Sequence, residues 1–279
     1  MSHKLLLAAL AVLTPLAAQD KSWDEPFPPH RIADNLYYVG SRGLSSYLIT
    51  TSAGHILINA SFDRTVPIIR GSIEKLGFKF SDVKILLASQ AHDDHVAGSA
   101  LVKELTGAKI FVMEGDEKVS ASGGTGMYLY KSRWKPFKVD RVLKDGEEVR
   151  LGDTVLKALR TPGHTQGCTT WTMKAKSGGR IYDVVILGGV NVNPGFQLVK
   201  NTDYPEISSD YAKSFQVLKA LHCDIFLGAH GSYYDMEAKF ARTRKTGPNP
   251  WIDPDGFRAY IADRERAYLD TLKAQTQAK

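Results

Sequence analysis

The chain is poor in cysteine: 279 residues hold only Cys168 and Cys223. That excludes a disulfide framework as the source of stability, and the wide spacing offers no thiolate metal cluster. Both cysteines adjoin apolar strand-like runs, so the sequence leaves open whether they pair or stay buried apart. Long apolar runs are also missing. After residues 5–18 no stretch approaches the roughly 20 apolar residues that a membrane-spanning helix needs. Charge of one sign is scarce, at a net +6 with no basic block and no basic stretch interleaved with aromatics, so nucleic-acid binding has no footprint. The short cluster Arg242 to Lys245 reads as a solvated turn. The glycines at 123, 124 and 126 are not followed by the Lys-Ser/Thr pair of a phosphate loop. No low-complexity linker divides the chain.

At the N-terminus, Lys4 precedes an apolar stretch interrupted by Pro15 and closing on Leu16-Ala17-Ala18 before polar Gln19-Asp20-Lys21. The stretch is too short to span a bilayer and carries small residues where a signal peptidase cuts. Residues 1–18 are therefore expected to be a signal peptide, and the mature chain periplasmic or secreted without stable membrane association. Its removal takes Lys4 and no acid, leaving +5. Residues 19–279 are long enough for one large domain.

Within them, apolar runs of strand length at 47–49, 56–58, 83–88 and 110–112 alternate with helical patterns at 66–76 and 96–105. The second half repeats the theme, with strands expected at 154–158, 168–173, 181–187 and 225–227 and helices at 211–221 and 257–273. Two mixed sheets with helices outside them is the packing that buries these faces. Residues 119–140 read as irregular, carrying Met127, Tyr128, Tyr130 and Trp134: a flap over an apolar substrate face, or a surface loop with aromatics beneath it.

The chemistry concentrates at Gln90-Ala-His-Asp-Asp-His95. His92, Asp94 and His95 are strong zinc ligands, and three so close together cannot all point the same way from one strand or helix. A strand-to-helix turn would divide them between two adjacent metals. A catalytic zinc takes about three protein ligands, and Thr161-Pro-Gly-His164-Thr and Gly228-Ala-His230-Gly offer two more histidines, each in a small-residue loop beside an apolar strand. Loops held by rigid strands are where such ligands sit. Asp94 alone reads equally well as a helix cap, but capping does not explain His92, His164 and His230 together. His55 and His222, beside apolar strands, read as satisfied, partly buried imidazoles. His30 reads as exposed loop, and His3 belongs to the leader.

This constellation resembles the metallo-β-lactamase superfamily, whose first motif is His-x-His-x-Asp-His followed by single later histidines. The segments Asn35-Leu-Tyr-Tyr-Val-Gly40, Gly54-His-Ile-Leu-Ile-Asn59, Thr161-Pro-Gly-His-Thr165 and Asp203-Tyr-Pro205 are similar to the third subclass of class B β-lactamases. Gln90 replaces the first motif histidine, as in the GOB-type enzymes. The resemblance implies an α/β fold, the αββα sandwich, and up to two Zn²⁺ per chain. Gln90, His92 and His164 would face the first zinc, and Asp94, His95 and His230 would hold the second. It further implies hydrolysis of a small-molecule β-lactam by zinc-activated water, with Asp94 orienting that water. An amide oxygen is a weaker zinc donor than imidazole, so the first site is expected to bind less tightly. Serines that grip the substrate in the subclass are matched here by Val190 and Val192, which leaves Asn191, Tyr233 or a lysine near the groove as candidates for that contact.

Two other readings compete. Thioesterases and lactonases of the superfamily bridge their metals with an aspartate after the strand at 181–187, where this chain has Gly188-Gly189-Val190; Asp183 comes too early. A non-catalytic zinc-binding protein would need closed coordination with no position for water.

Overall fold

A computed structural model of the chain describes residues 20–243 and 249–278. The expected signal peptide, His3, Arg244 and Lys245 lie outside the described residues. The first sheet has seven strands in the order of the chain: β1 (His30–Ala33), β2 (Leu36–Tyr38), β3 (Tyr47–Thr51), β4 (Gly54–Ile58), β5 (Val83–Leu87), β6 (Lys109–Met113) and β7 (Arg141–Leu143). β1 to β4 pair antiparallel and β4 to β7 parallel. Their crossovers carry α1 (Val66–Lys75), α2 (Asp93–Val96), α3 (Ser99–Thr106) and α4 (Glu117–Ala121). The second sheet holds β8 (Glu148–Leu151), β9 (Thr154–Arg160), β10 (Thr169–Ser177), β11 (Arg180–Leu187) and β12 (Ile225–Gly228) in the order 12-11-10-9-8. All are antiparallel except β11 with β12. Helices α5 (Ile207–Lys219), α6 (Met236–Arg242) and α7 (Pro254–Gln277) complete the chain.

The period-2 alternation of a strand decides which layer each side chain joins. In β3, Tyr47 and Ile49 join the inter-sheet core while Leu48 packs with the helices outside. In β6, Phe111 and Met113 face inward and Ile110 and Val112 outward. Strands buried on both faces need no polar alternation, which is why these segments read as continuous apolar runs. Trp171, Met173 and Leu156 supply the facing sheet's share, and α5 and α7 cover its back through Phe215, Ile261 and Tyr268. The expected two mixed sheets flanked by helices are thus present.

Short elements departed from the sequence reading. β1, β2, β7 and β8 have three or four residues each, too few for a period to register. The helix expected over 96–105 is two helices, broken at Ala97-Gly98, where a Cβ on Gly98 would lie 2.6 Å from the Ala60 carbonyl. His30 is not exposed loop: it opens β1 with its ring stacked between Tyr38 and Trp251, at centroid distances of 5.2 and 4.9 Å. His222 is not partly buried. Its side chain is 73% exposed and lies 3.3 Å from Asp224, because the segment leaving α5 turns it to solvent. His55 is buried in β4, edge-on to Phe78, although its Nδ1 finds no partner. Cys168 and Cys223 remain separate buried thiols.

Strand direction places the functional loops. β4, β5, β11 and β12 all run toward one end of the sandwich, and antiparallel β10 starts there. The segments following residues 58, 87, 187 and 228, and the loop before residue 169, therefore meet at that end.

Candidate metal centre

The turn after β5 is held by its neighbours. Asn59 and Ser61 adopt left-handed backbone, φ 63° and 54°, which costs a non-glycine residue energy unless its surroundings enforce it. Here they do. Asn59 Oδ1 accepts from the Ser89 amide at 2.9 Å, the Ala60 amide donates to the His95 carbonyl at 3.0 Å, and the Gly98 amide to the Ser61 carbonyl at 2.7 Å. The segment from Ser89 to Gly98 is thereby fixed against β4.

All six sequence-predicted ligands come together. Asp94 Oδ2 lies 3.2 Å from His95 Nε2 and 3.4 Å from His230 Nε2. One ligand atom from each of these three falls within 4.8 Å of the others. Beside them the His92 and His164 rings meet edge-on at 4.8 Å, and the His95 and His230 rings at 4.9 Å. Asp94 does not cap α2, whose first turn begins at His92 without a side-chain cap.

Hydrogen bonds set the orientation of two of these candidate ligands. His164 Nδ1 lies 2.8 Å from the Asn191 carbonyl, which can only accept, so Nδ1 carries the proton and Nε2 keeps its lone pair. Gln90 Nε2 donates to the Gly188 carbonyl at 3.1 Å, which turns Oε1 the other way, and that oxygen is buried with no partner. His95 Nδ1 is likewise buried and unpartnered. Unsatisfied buried polar atoms cost about 1–3 kcal/mol each. Their concentration at one spot, with imidazole, carboxylate and amide donors, fits a bound cation of borderline softness such as zinc.

The electrostatics agree with ligand duty. Burial, then the neighbouring His164, holds the His92 imidazole well below its ordinary range. Burial pushes His164 down to about 4, and burial with the adjacent His95 pushes His230 down to about 3. Burial works against the Asp94 carboxylate, but the rings of His95, His230 and His92 outweigh it and keep the group ionised. At neutral pH the His92, His164 and His230 rings are therefore neutral and ready to coordinate without first losing a proton.

A pH dependence follows. A histidine depressed in the folded state binds its proton in the unfolded state first, so stability rises with pH between the folded and unfolded values. For His164 the window runs from about 4 up to the ordinary 6.5. Each such ring contributes up to about 1.4 kcal/mol per pH unit. The metal-free protein should lose urea resistance as pH falls from 6.5 to 4, and His230→Gln should flatten that slope; equal slopes in the two proteins would refute the buried, neutral assignment.

Asn191 and Tyr233 also reach this end, bonded to one another. Asn191 Nδ2 donates to the Tyr233 hydroxyl at 3.1 Å, its Oδ1 accepts from Tyr260, and its carbonyl accepts from both His164 and Tyr211. Both atoms of the Asn191 amide are thus oriented by partners within the protein. Tyr233 packs against the His230 ring at 5.0 Å and keeps its proton, since burial raises its phenol well above the usual range.

Residues 122–137 run along one side. Tyr130 meets the His92 ring edge-on at 5.0 Å, its hydroxyl accepts from Asn193 at 2.7 Å, and the Tyr128 hydroxyl accepts from the Gln197 amide at 2.9 Å. The segment is thus tied to residues 193–197 across the cleft. Beneath it lies a cavity of about 400 Å³ lined by His92, Met127, Tyr128, His164 and Tyr204. A larger cleft, about 1220 Å³, contains none of the six candidate ligands and is lined by His55, Asp183 and His222.

Sequence reasoning missed Trp23, whose ring lies 5.7 Å from that of His230, and Asp116, which bonds to Ala91 and Thr165. Neither stands in a motif.

Comparison with known proteins agrees with this geometry. Residues 40–178 match the family described as the metallo-beta-lactamase superfamily. The solved structure of the native FEZ-1 metallo-beta-lactamase from Legionella gormanii is 51% identical, with a TM-score of 0.89 over 90% of this chain and 98% of that one. That of GOB-18 from Elizabethkingia meningoseptica is 37% identical, with a TM-score of 0.88 over 96% and 100%. The hydroxyacylglutathione hydrolase of Methylococcus capsulatus is 34% identical over 82 residues, 29% of this chain and only 26% of that relative's length. With its ligand loops at one end of two mixed sheets and likeness to FEZ-1 over nearly that protein's whole length, the chain belongs to the metallo-β-lactamase superfamily.

Proposed function

We propose that the chain is a zinc-dependent β-lactamase that opens the cyclic amide of β-lactam antibiotics, acting in the periplasm or outside the cell. Asp94, His95 and His230 would hold one zinc, and Gln90, His92 and His164 would face another. When bound, such zinc acts as a Lewis acid and makes water nucleophilic near neutral pH. Asp94, ionised beside His95 and His230, is placed to orient that water. Tyr130 and the rest of its segment limit solvent at His92. Tyr233 receives a hydrogen bond from Asn191 and retains its own proton to offer a substrate oxygen.

The observation that carries this reading over a thioesterase is Gly189. The position carries no carboxylate to bridge two metals, and a Cβ there would lie 3.0 Å from the His164 ring and 3.2 Å from Gln90 Nε2, so a side chain could enter only if those two groups gave way. The likeness to FEZ-1 and GOB-18 supports the same choice.

The test is a panel of a penicillin, a cephalosporin, a carbapenem, a glutathione thioester and a homoserine lactone with purified, zinc-replete protein. Loss of β-lactam absorbance on at least one antibiotic, abolished by a chelator and insensitive to serine-directed inhibitors, is the expected result. Thioester or lactone cleavage without any ring opening would overturn it. Activity would confer antibiotic resistance on a host.

A further inference from the structure

Asp116 is a buried carboxylate, 3% exposed, in the turn between β6 and α4. Its Oδ2 accepts from the Ala91 amide at 2.8 Å and from the Thr165 hydroxyl at 2.6 Å, and its Oδ1 accepts from the Gly167 amide at 2.8 Å. Ala91 lies between Gln90 and His92; Thr165 follows His164. One side chain therefore joins the two loops that bring these three residues together. The backbone is built around it. A Cβ on Gly167 would lie 2.6 Å from the Asp116 amide nitrogen, and a Cβ on Gly115 2.8 Å from the Gln166 carbonyl, so both loops approach as closely as glycine permits.

We propose that Asp116 is a positioning residue that fixes the separation of the Gln90/His92 turn from the His164 loop, and thereby the metal affinity of that half of the centre. This rests on the metal reading above. The carboxylate fits the task better than a neutral group. Its three hydrogen bonds are charge-assisted, and such bonds are about twice as strong as neutral ones. Asparagine has one oxygen, so it must forfeit at least one acceptor and present an amine to a donor. Burial pushes the Asp116 carboxyl up to about 6 even against its three donors, a cost retained only where the bonds are needed. Ligand-orienting groups of this kind typically change metal affinity about 10–100-fold when removed.

The experiment is a Zn²⁺ titration of the full-length mature protein by chelator competition, with unfolding of the metal-free form followed in parallel. Compared are the unsubstituted protein, Asp116→Asn, and Thr165→Val, which keeps the carboxylate and deletes one bond. Expected is a loosening of the weaker zinc phase by about 10–100-fold in Asp116→Asn, and a smaller loosening of the same phase in Thr165→Val, with the tighter phase unchanged. A purely structural role would instead lower metal-free stability and weaken both phases together, which overturns the proposal. So would two unchanged phases in Thr165→Val, should Asp116→Asn fail to fold. An unsubstituted protein that takes up no zinc would overturn the metal reading itself, an outcome distinguishable from normal uptake with insensitive variants.

Discussion

Replacing His230 with alanine is expected to remove the zinc held with Asp94 and His95 and to lower kcat/KM by about three orders of magnitude, the equivalent of about 4 kcal/mol. His230 comes from the segment after β12, whereas Asp94 and His95 come from α2, so it is the ligand that joins the two sheets at the centre. Its Nε2 stands 3.4 Å from the Asp94 carboxylate. Without it, two donors from adjacent residues remain in that half, fewer than the three protein ligands that catalytic zinc sites usually keep. The ring also packs against Trp23 and Tyr233, so a fall in activity alone could follow from loosened packing. His230→Gln preserves bulk and a polar atom; if it retains the folded spectrum but loses zinc and turnover, ligation is the cause. Full activity in the alanine variant would sink the assignment.

The parts legible in the sequence were those in which one local signal suffices. Apolar runs marked β3 to β6, β11 and β12, where burial on both faces leaves few polar interruptions, whereas β9 and β10 carry exposed Lys157 and Lys174. The candidate ligands were legible as a group because His and Asp at such close spacing have few other uses. What escaped depends on pairs distant along the chain. Asp116 meets Thr165 only because β6 and β10 lie in opposite sheets that converge at this end, and nothing in Met113-Glu-Gly-Asp116 announces it. Asn191 was named as a substrate contact from the sequence, and the hydrogen bonds its amide makes with Tyr233 and Tyr260 are visible only once α7 is seen packed on the second sheet. His30 and His222 exchanged roles for the same reason: exposure is decided by what the fold brings alongside, Trp251 in one case and solvent in the other.

Gln90→His is expected to tighten zinc at the Gln90, His92 and His164 half of the centre by about ten-fold, or 1.4 kcal/mol, while leaving the Asp94, His95 and His230 half unchanged. The glutamine already behaves as an oriented donor: Nε2 is anchored on the Gly188 carbonyl and Oε1 is left buried without a partner. A histidine can adopt the same division of labour, one ring N–H on the Gly188 carbonyl and the other nitrogen inward, as His164 does against the Asn191 carbonyl. The gain comes from donor chemistry, since imidazole binds zinc better than a neutral amide oxygen. Space is the opposing term, because even a Cβ added to Gly189 would lie 3.2 Å from Gln90 Nε2; a planar ring must lie along the glycine surface rather than across it. Chelator competition reads the result directly. Zinc retention equal to that of the unsubstituted protein, in a variant whose unfolding is unaltered, would mean that residue 90 does not face a metal and that the unpartnered amide oxygen has another cause.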